Sequence, residues 1–171
     1  LIAFDTTSRL SNLDLISDIE KYMNELGVPT RLTHDKDKTK ANLWCTIGPQ
    51  DIGGVVLSGH TDVVPIDGQE WTKTPFKMSE ESGKLFGRGT SDMKGFCAIA
   101  LAMAPEMKSR DLKVPIHFAF SFDEEVGCVG VRHLIKDVVD NLPLPRAVIV
   151  GEPTSMKIVG GNKGGRSFRT T

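Results

Sequence analysis

The chain has 171 residues, with 21 Lys and Arg against 22 Asp and Glu and a formal net charge of −1. This size fits one domain with its own core, and the balanced charge argues against nucleic acid or anionic membrane as a main partner, because both bind a basic face. No apolar run approaches the ~18 residues of a membrane span, and the opening shows no signal peptide. Three widely spaced cysteines without a C-x-x-C pair predict buried free thiols in a reducing cytoplasm.

Helical spacing defines the first predicted element. Apolar side chains recur every three or four residues from position 15 to position 26. A capping-box pattern, Ser11 followed by Asp14, precedes them, and Gly27 follows them. Together these signals predict a helix over residues 12–26.

Two apolar runs and a long connection come next. Residues 43–47 and 55–57 predict strands, and the second run is continuous enough to be buried on both faces. Turn-forming residues are frequent between positions 61 and 90. We therefore expect a long, mostly irregular connection with short strands, and connections of this kind are often functional.

The second half of the chain alternates helical and extended patterns. Periodicity predicts helices over residues 93–107 and 127–138, and strands over 114–122 and 147–150. Strands that alternate with helices indicate an α/β domain with a sheet between helix layers.

Several apolar strands end in an acid or a histidine, which is where α/β sheets place ligand sites. One more acid directly precedes the second helix. The candidates are His60, Asp62, Asp92, Glu124, Glu125 and Glu152. If these positions converge, carboxylates ~4 Å apart repel by roughly 4 kcal/mol at an effective dielectric of 20. Bound cations resolve that repulsion, and the mixture of histidine and carboxylates suits zinc, cobalt or manganese.

Each candidate also has an ordinary structural interpretation when it is taken alone. A single His60 is typical of a hydrogen-bonded structural residue, Glu124 and Glu125 of a solvated turn, and Asp92 of a helix N-cap. The metal-site hypothesis depends on their shared position at the ends of apolar segments. The other histidines are assigned structural or surface roles: His34, His117 and His133.

Five motifs in fixed order carry a family resemblance. They are SGHTDVVP at 58–65, WTKTPF at 71–76, GRGTSDMKG at 87–95, DEEVG at 123–127 and GEPTS at 151–155. With these motifs the chain resembles the two-metal aminoacylase and carboxypeptidase family over essentially its whole length. The opening LIAFDTTSR most resembles the acetylornithine deacetylases of that family, which usually carry His where Asn162 stands.

The resemblance implies a fold and an activity. The fold would be a zinc-exopeptidase-like α/β catalytic domain with a mixed β-sheet between helices. The activity would be metal-dependent deacetylation of N2-acetyl-L-ornithine to ornithine and acetate, with two Zn²⁺ or Co²⁺ ions as cofactors. Family membership also implies a small N-acyl amino acid as substrate, a cytoplasmic location and a homodimer for the full-length protein.

The family pattern also implies residue roles. One metal would be held by His60, Asp92 and Glu152, and Asp92 would bridge to a second metal held by Glu125 and a histidine beyond this chain. Asp62 would orient His60 through its other ring nitrogen. Glu124 would be the general base that takes the proton of water and delivers it to the leaving amine.

The resemblance further implies a boundary near the end of the chain. Residues 1–163 would form the metal-binding catalytic domain, and residues 164–171 would begin a smaller lid and dimerisation domain, with a strand near Ser167. On this interpretation the lid and the last metal-ligand histidine are absent, and the 171-residue chain alone would be inactive.

Two alternatives to acetylornithine deacetylation remain open from the sequence. The first is a sibling specificity, either desuccinylation of N-succinyl-diaminopimelate or hydrolysis of a related N-acyl amino acid or peptide. The second is a non-catalytic, metal-binding relative. The presence of Glu124 argues against the second, because a binding module has no use for a general base.

Overall fold

The computed structural model of the protein describes residues 1–161, 163 and 164. Helices and strands alternate along this part of the chain. In chain order the elements are α1 (Leu13–Glu25), β1 (Thr30–His34), β2 (Ala41–Ile47), β3 (Val55–His60), β4 (Ser79–Glu81), β5 (Lys84–Phe86), α2 (Lys94–Ser109), β6 (Ile116–Ser121), α3 (Val129–Asn141) and β7 (Ala147–Val150). None of the described helices is long and apolar enough to span a membrane.

Five strands form one mixed sheet in the order β1-β2-β6-β3-β7. Strand β2 pairs antiparallel with β1 on one side and with β6 on the other. Strand β3 runs parallel to both of its neighbours, β6 and β7. Strands β4 and β5 form a separate hairpin within the predicted irregular connection. Because β3, β6 and β7 are parallel, their carboxyl ends lie at the same edge of the sheet, which is hereafter the carboxyl edge.

Helices cover both faces of the sheet. On one face, α1 and α2 pack against Leu43, Phe118 and Phe120 in the larger apolar cluster. On the other face, α3 packs against Trp44 and Ala119 in a smaller cluster. Adjacent residues of one strand thus serve opposite cores, as the period of two in a strand requires. The predicted α/β architecture with a mixed sheet between helices is confirmed.

The predicted helices and strands are present, with three differences in detail. The capping box was wrong: Asn12 is the N-cap residue of α1, and its amide group instead pairs with the backbone of Ala41 in β2. Strand β1 was not predicted. The apolar strand β7 pairs with β3, yet its side chains from Val148 to Val150 are more than half exposed. The predicted strand near Ser167 lies outside the described residues.

Two glycines let α2 approach the carboxyl edge closely. A Cβ on Gly59 would lie 2.8 Å from Cys97 Sγ, and a Cβ on Gly151 would lie 2.0 Å from Cγ of Phe96. Both contacts are shorter than van der Waals packing allows, so larger residues there would displace the helix. The start of α2 therefore lies directly against the ends of β3 and β7, which brings Asp92 to the same edge.

Candidate metal centre

The carboxyl edge collects every candidate residue predicted from the sequence. His60 is the last residue of β3, and Asp62 follows it in the next turn. Asp92 lies just before α2, whose N-cap is Met93, and the Asp92–Met93 peptide bond is cis. The remaining candidates follow β6 and β7: Glu124, Glu125 and Glu152.

The acids surround one ring nitrogen of His60. Its Nε2 lies 3.1 Å from Oδ1 of Asp92, 3.6 Å from Oε1 of Glu152 and 3.8 Å from Oε2 of Glu124. Two sets of three ligand atoms each lie within 4.8 Å of one another: one from His60, Glu124 and Glu152, the other from His60, Asp92 and Glu125. The two sets share His60, and each brings together three ligand atoms that could hold one divalent ion.

Within the described part of the chain, these acids have no Lys or Arg partner. Across residues 1–161, 163 and 164, no Lys or Arg side chain forms a salt bridge with Asp92, Glu124, Glu125 or Glu152. Elsewhere in the described chain, acids such as Asp137 and Asp123 are paired with Arg31 and Lys40. An unpaired group of carboxylates beside an imidazole has the donor chemistry of a divalent transition-metal site.

The crowding of negative charge shifts the pKa values of the site residues. Partial burial and the charge of Asp92 raise the pKa values of Glu125 and Glu152. Burial by itself lowers the pKa of His60, but hydrogen bonding and charge from Asp62, with a contribution from Glu152, raise it to about 9. Without metal, the imidazole is therefore the cation that partly compensates the acids, and a divalent ion would replace its proton.

Asp62 forms hydrogen bonds with three of these residues. It is nearly fully buried, and its backbone carbonyl lies 2.9 Å from Nδ1 of His60 while its Oδ1 lies 3.5 Å from the same atom. Because a carbonyl oxygen only accepts hydrogen bonds, Nδ1 carries a proton and Nε2 is directed at the acids. The carboxylate of Asp62 also accepts hydrogen bonds from the backbone N–H groups of Glu124 (3.0 Å) and Glu125 (3.3 Å).

Two further buried residues near the site were not predicted, and one of them contacts Asp62. Ser8 donates its hydroxyl hydrogen bond to Oδ2 of Asp62 over 2.7 Å. Lys94 is fully buried and donates to the carbonyl of Phe4 over 2.8 Å, and burial lowers its pKa to about 8. Both residues lie within motifs that carry the resemblance, but no local pattern identifies their partners, which lie 54 and 90 residues away.

An open cavity of about 610 Å³ lies against the site. His60, Glu124 and Glu152 border it together with apolar side chains that include Met93 and Val131. The cavity is large enough for a small molecule, since ligand pockets are typically ~300–1,000 Å³.

The cysteines differ from the prediction at one position. Cys45 and Cys97 are free and buried, as expected, but Cys128 is exposed and its thiol contacts Oε1 of Glu124 at 3.4 Å. Burial and the charge of Glu124 raise the pKa of Cys128. A thiol that ionises less readily is a weaker nucleophile at neutral pH, so this geometry does not create a cysteine nucleophile.

Comparison with protein families gives a match over most of the chain. The model described as peptidase family M20/M25/M40 matches residues 56–161. Acetylornithine deacetylase of Shigella sonnei is 37% identical over 155 residues, which are 90% of this chain and 39% of that protein. The corresponding protein of Buchnera aphidicola from Schizaphis graminum is 37% identical over 98% of this chain and 45% of its own length. The chain thus spans less than half of these curated relatives.

Solved structures with the same fold include several peptidases. A metallo-carboxypeptidase of the M20 family from Sulfolobus solfataricus aligns with a TM-score of 0.71 at 22% identity, covering 86% of this chain and 35% of that one. Human carnosine dipeptidase 1 aligns with a TM-score of 0.66 at 24% identity, covering 87% and 36%. The YXEP protein of Bacillus subtilis, described as a dinuclear metal-binding peptidase, aligns with a TM-score of 0.58 at 22% identity, covering 85% and 39%.

Proposed function

Because the chain belongs to peptidase family M20/M25/M40, we propose that it carries the catalytic metal centre of an amidohydrolase that converts N2-acetyl-L-ornithine to L-ornithine and acetate. The observation that carries the proposal is the group of acids around Nε2 of His60 at the carboxyl edge, without Lys or Arg partners among the described residues. The curated acetylornithine deacetylases at 33–37% identity support the choice of substrate.

We assign two divalent metal ions to this centre, and the assignment of ligands follows the family pattern. His60, Asp92 and Glu152 would hold one ion, and Asp92 and Glu125 would contribute to the second. Bound Zn²⁺ or Co²⁺ supplies Lewis acidity that polarises a carbonyl and acidifies water. Carboxylate oxygens of Asp92 and Glu152 lie 3.1 and 3.6 Å from Nε2 of His60, which supports the first group of ligands. The sets of three ligand atoms within 4.8 Å instead group Glu124 with His60 and Glu152, and Asp92 and Glu125 with His60. The division of the ligands between two ions, with Glu124 left as the base, therefore rests on the family pattern.

Glu124 is the proposed general base. Its carboxylate borders the cavity and is 37% exposed, so a substrate and an attacking water can reach it. It takes a proton as the water oxygen bonds to the acetyl carbon, and it returns that proton to the nitrogen as the carbon–nitrogen bond breaks. Asp62 holds the backbone of this glutamate and the ring of His60 in fixed relative positions.

The alternative is a related N-acyl substrate, either N-succinyl-diaminopimelate or a small peptide. The fold match to carboxypeptidase and dipeptidase structures is compatible with this alternative. The cytoplasmic location, the homodimer of the full-length protein and a lid domain beginning at residues 164–171 are also part of the proposal, and they rest on the family pattern.

A substrate comparison tests the proposal. The full-length protein loaded with Zn²⁺ or Co²⁺ is assayed with N2-acetyl-L-ornithine, N-succinyl-diaminopimelate and a dipeptide, and amine release is quantified by chromatography. We expect kcat/KM for acetylornithine to exceed the others by at least about tenfold, since single pocket contacts discriminate by ~10–200-fold. Higher kcat/KM for either competitor reassigns the substrate, and no metal-dependent hydrolysis of any of them rejects the enzyme.

A further inference from the structure

The first residues of the chain form a short support beside the metal centre. We define Asp5–Ser8 as the N-terminal strap. It pairs with Val63, which directly follows Asp62 in the turn after β3. Val63 N–H donates to the carbonyl of Thr6 and Ser8 N–H donates to the carbonyl of Val63, both over 3.2 Å. The hydroxyl of Thr6 donates to the carbonyl of Thr61. The strap is therefore fixed to the turn that follows β3.

A partly buried lysine connects the strap to the opposite side of the site. Lys40 Nζ donates to the carbonyl of Ser8 and to Oδ1 of Asp123, the residue before the two glutamates. Ser8 itself is 7% exposed. The backbone N–H and the backbone carbonyl of Ser8 are therefore both held by hydrogen bonds, which leaves the side chain little freedom to turn towards water.

The Ser8 hydroxyl makes one contact that matters for the site. It donates to Oδ2 of Asp62 over 2.7 Å, which is the shortest hydrogen bond to that carboxylate. Without it, Oδ2 would keep only the longer contact with the Glu125 N–H at 3.3 Å. A buried carboxylate that loses a donor is destabilised and reorients towards other donors.

Asp62 transmits such a reorientation to three functional groups, because it contacts the ring of His60 and the N–H groups of both Glu124 and Glu125. We propose that Ser8 is a positioning residue that fixes Asp62 and thereby sets the affinity of the centre for divalent metal. The inference rests on the proposed metal-dependent function. It extends the support of the metal centre to a residue 54 positions before Asp62.

Two matched variants test this role in the full-length protein. Ser8→Ala removes the hydroxyl that contacts Asp62. Thr6→Val removes a hydroxyl from the same strap that is also buried and hydrogen-bonded, but to the carbonyl of Thr61. Metal-free wild type and variants are titrated with Co²⁺ alone, and affinity and the visible absorption spectrum of bound Co²⁺ are recorded. The thermal midpoint of each metal-free protein controls for a general loss of stability.

We expect Ser8→Ala to bind Co²⁺ about tenfold more weakly, the lower end of the ~10–100-fold typical for groups that orient metal ligands. Its Co²⁺ spectrum should change, and kcat should fall with KM unchanged. Thr6→Val should keep the affinity and spectrum of wild type, even if its metal-free midpoint falls as far. Equal affinities and spectra for the two variants would overturn the role of Ser8. If wild type itself binds no Co²⁺, the proposed function fails instead.

Discussion

Two buried histidines lie on neighbouring strands of the same sheet, and their surroundings differ. His117 of β6 is 3% exposed and pairs with Val56 near the start of β3, whereas His60 is 2% exposed and pairs with Ser121 at the end of β6. Residue type, burial and secondary structure are therefore nearly the same. The two side chains differ in the groups that surround them.

His117 has neutral partners only. Its Nδ1 lies 2.9 Å from the hydroxyl of Thr46, its Nε2 accepts the N–H of Gly54 over 3.1 Å, and its ring stacks on Trp44. Burial lowers its pKa. Both ring nitrogens are occupied by neutral groups, and the imidazole is a satisfied core residue, as the sequence predicted.

His60 has acidic partners, which raise its pKa to about 9 although burial alone lowers it. One of its nitrogens is held by Asp62, and the other faces three carboxylates. The comparison shows that burial does not distinguish the proposed metal-ligand histidine from a structural one. The charge and the unfilled bonding capacity of its neighbours make the difference.

The largest expected effect separates the two neighbouring glutamates in the full-length enzyme. Glu124→Gln preserves shape but cannot accept a proton, so kcat should fall by roughly 10²–10⁴-fold while metal content stays at the wild-type level. Glu125→Gln removes an anionic ligand and should lose metal and activity together. Metal analysis beside steady-state kinetics checks both. Loss of metal from Glu124→Gln with retention in Glu125→Gln would exchange the roles.

Substitution of each histidine tests the comparison directly. His60→Gln should weaken Co²⁺ binding by at least about 100-fold, since loss of an orienting partner alone costs ~10–100-fold. His117→Leu should leave Co²⁺ affinity unchanged but lower the free energy of unfolding by about 1–3 kcal/mol, because the buried N–H of Gly54 loses its acceptor. Calorimetric titration and urea unfolding measure the two effects. A metal-binding defect in His117→Leu would contradict the separation of the two ends of the sheet.

Metal removal sharpens the same distinction. Zinc at 100 times its dissociation constant should stabilise the folded protein by about 2.7 kcal/mol, and EDTA should abolish this increment. His117→Leu should retain the increment, while Asp92→Asn should lose most of it. Urea unfolding with and without Zn²⁺ provides the measurement. An increment of wild-type size in Asp92→Asn would show that zinc stabilises the protein from a different place.

A smaller change in the free energy of unfolding is expected for an acid that is paired with an arginine. Arg31 of β1 forms a two-point ion pair with Asp137 of α3, which lowers the pKa of Asp137. Arg31→Ala should cost about 0.5–1 kcal/mol at neutral pH, because exposed pairs contribute little.

The pH dependence of this pair has a defined sign. Since the folded-state pKa of Asp137 is below the unfolded value of ~3.9, the contribution is present above that value and is lost as pH falls through the folded pKa. Unfolding of wild type and Arg31→Ala at several pH values checks this, and a difference that does not shrink as pH falls below the unfolded value would contradict the pairing.

The carboxyl-edge residues could be predicted because their signal is local. Apolar runs mark the strands, and the candidate residues stand at the end of a strand, as His60 does in β3, or a few residues after it, as Glu124 does after β6. Ser8 could not be found this way, because its partner is set by how the strap folds back onto the turn after β3. The capping box failed for the same reason, since tertiary contact with Ala41 takes up the side chain of Asn12.

Strand β1 was missed because its sequence, TRLTH, is polar and has no apolar alternation. Its conformation depends on antiparallel pairing with β2, from Thr30 opposite Cys45 to His34 opposite Ala41. Strand β7 shows the opposite case: its apolar sequence predicted a strand correctly, but exposure depends on neighbours that a strand pattern cannot show. Sequence propensity indicates which secondary structure a segment can form, and non-local contacts determine how far its side chains are buried.

The position of β3 between β6 and β7 has a consequence for the order of folding. Each of its two parallel pairings closes a long stretch of chain, which is slow compared with forming a hairpin. Glu152 reaches His60 only when β7 has paired, so the full ligand set exists only after the last of these closures. On the proposed ligand set, tight metal binding would therefore come late in folding, and the rate of metal capture during refolding would report completion of the sheet.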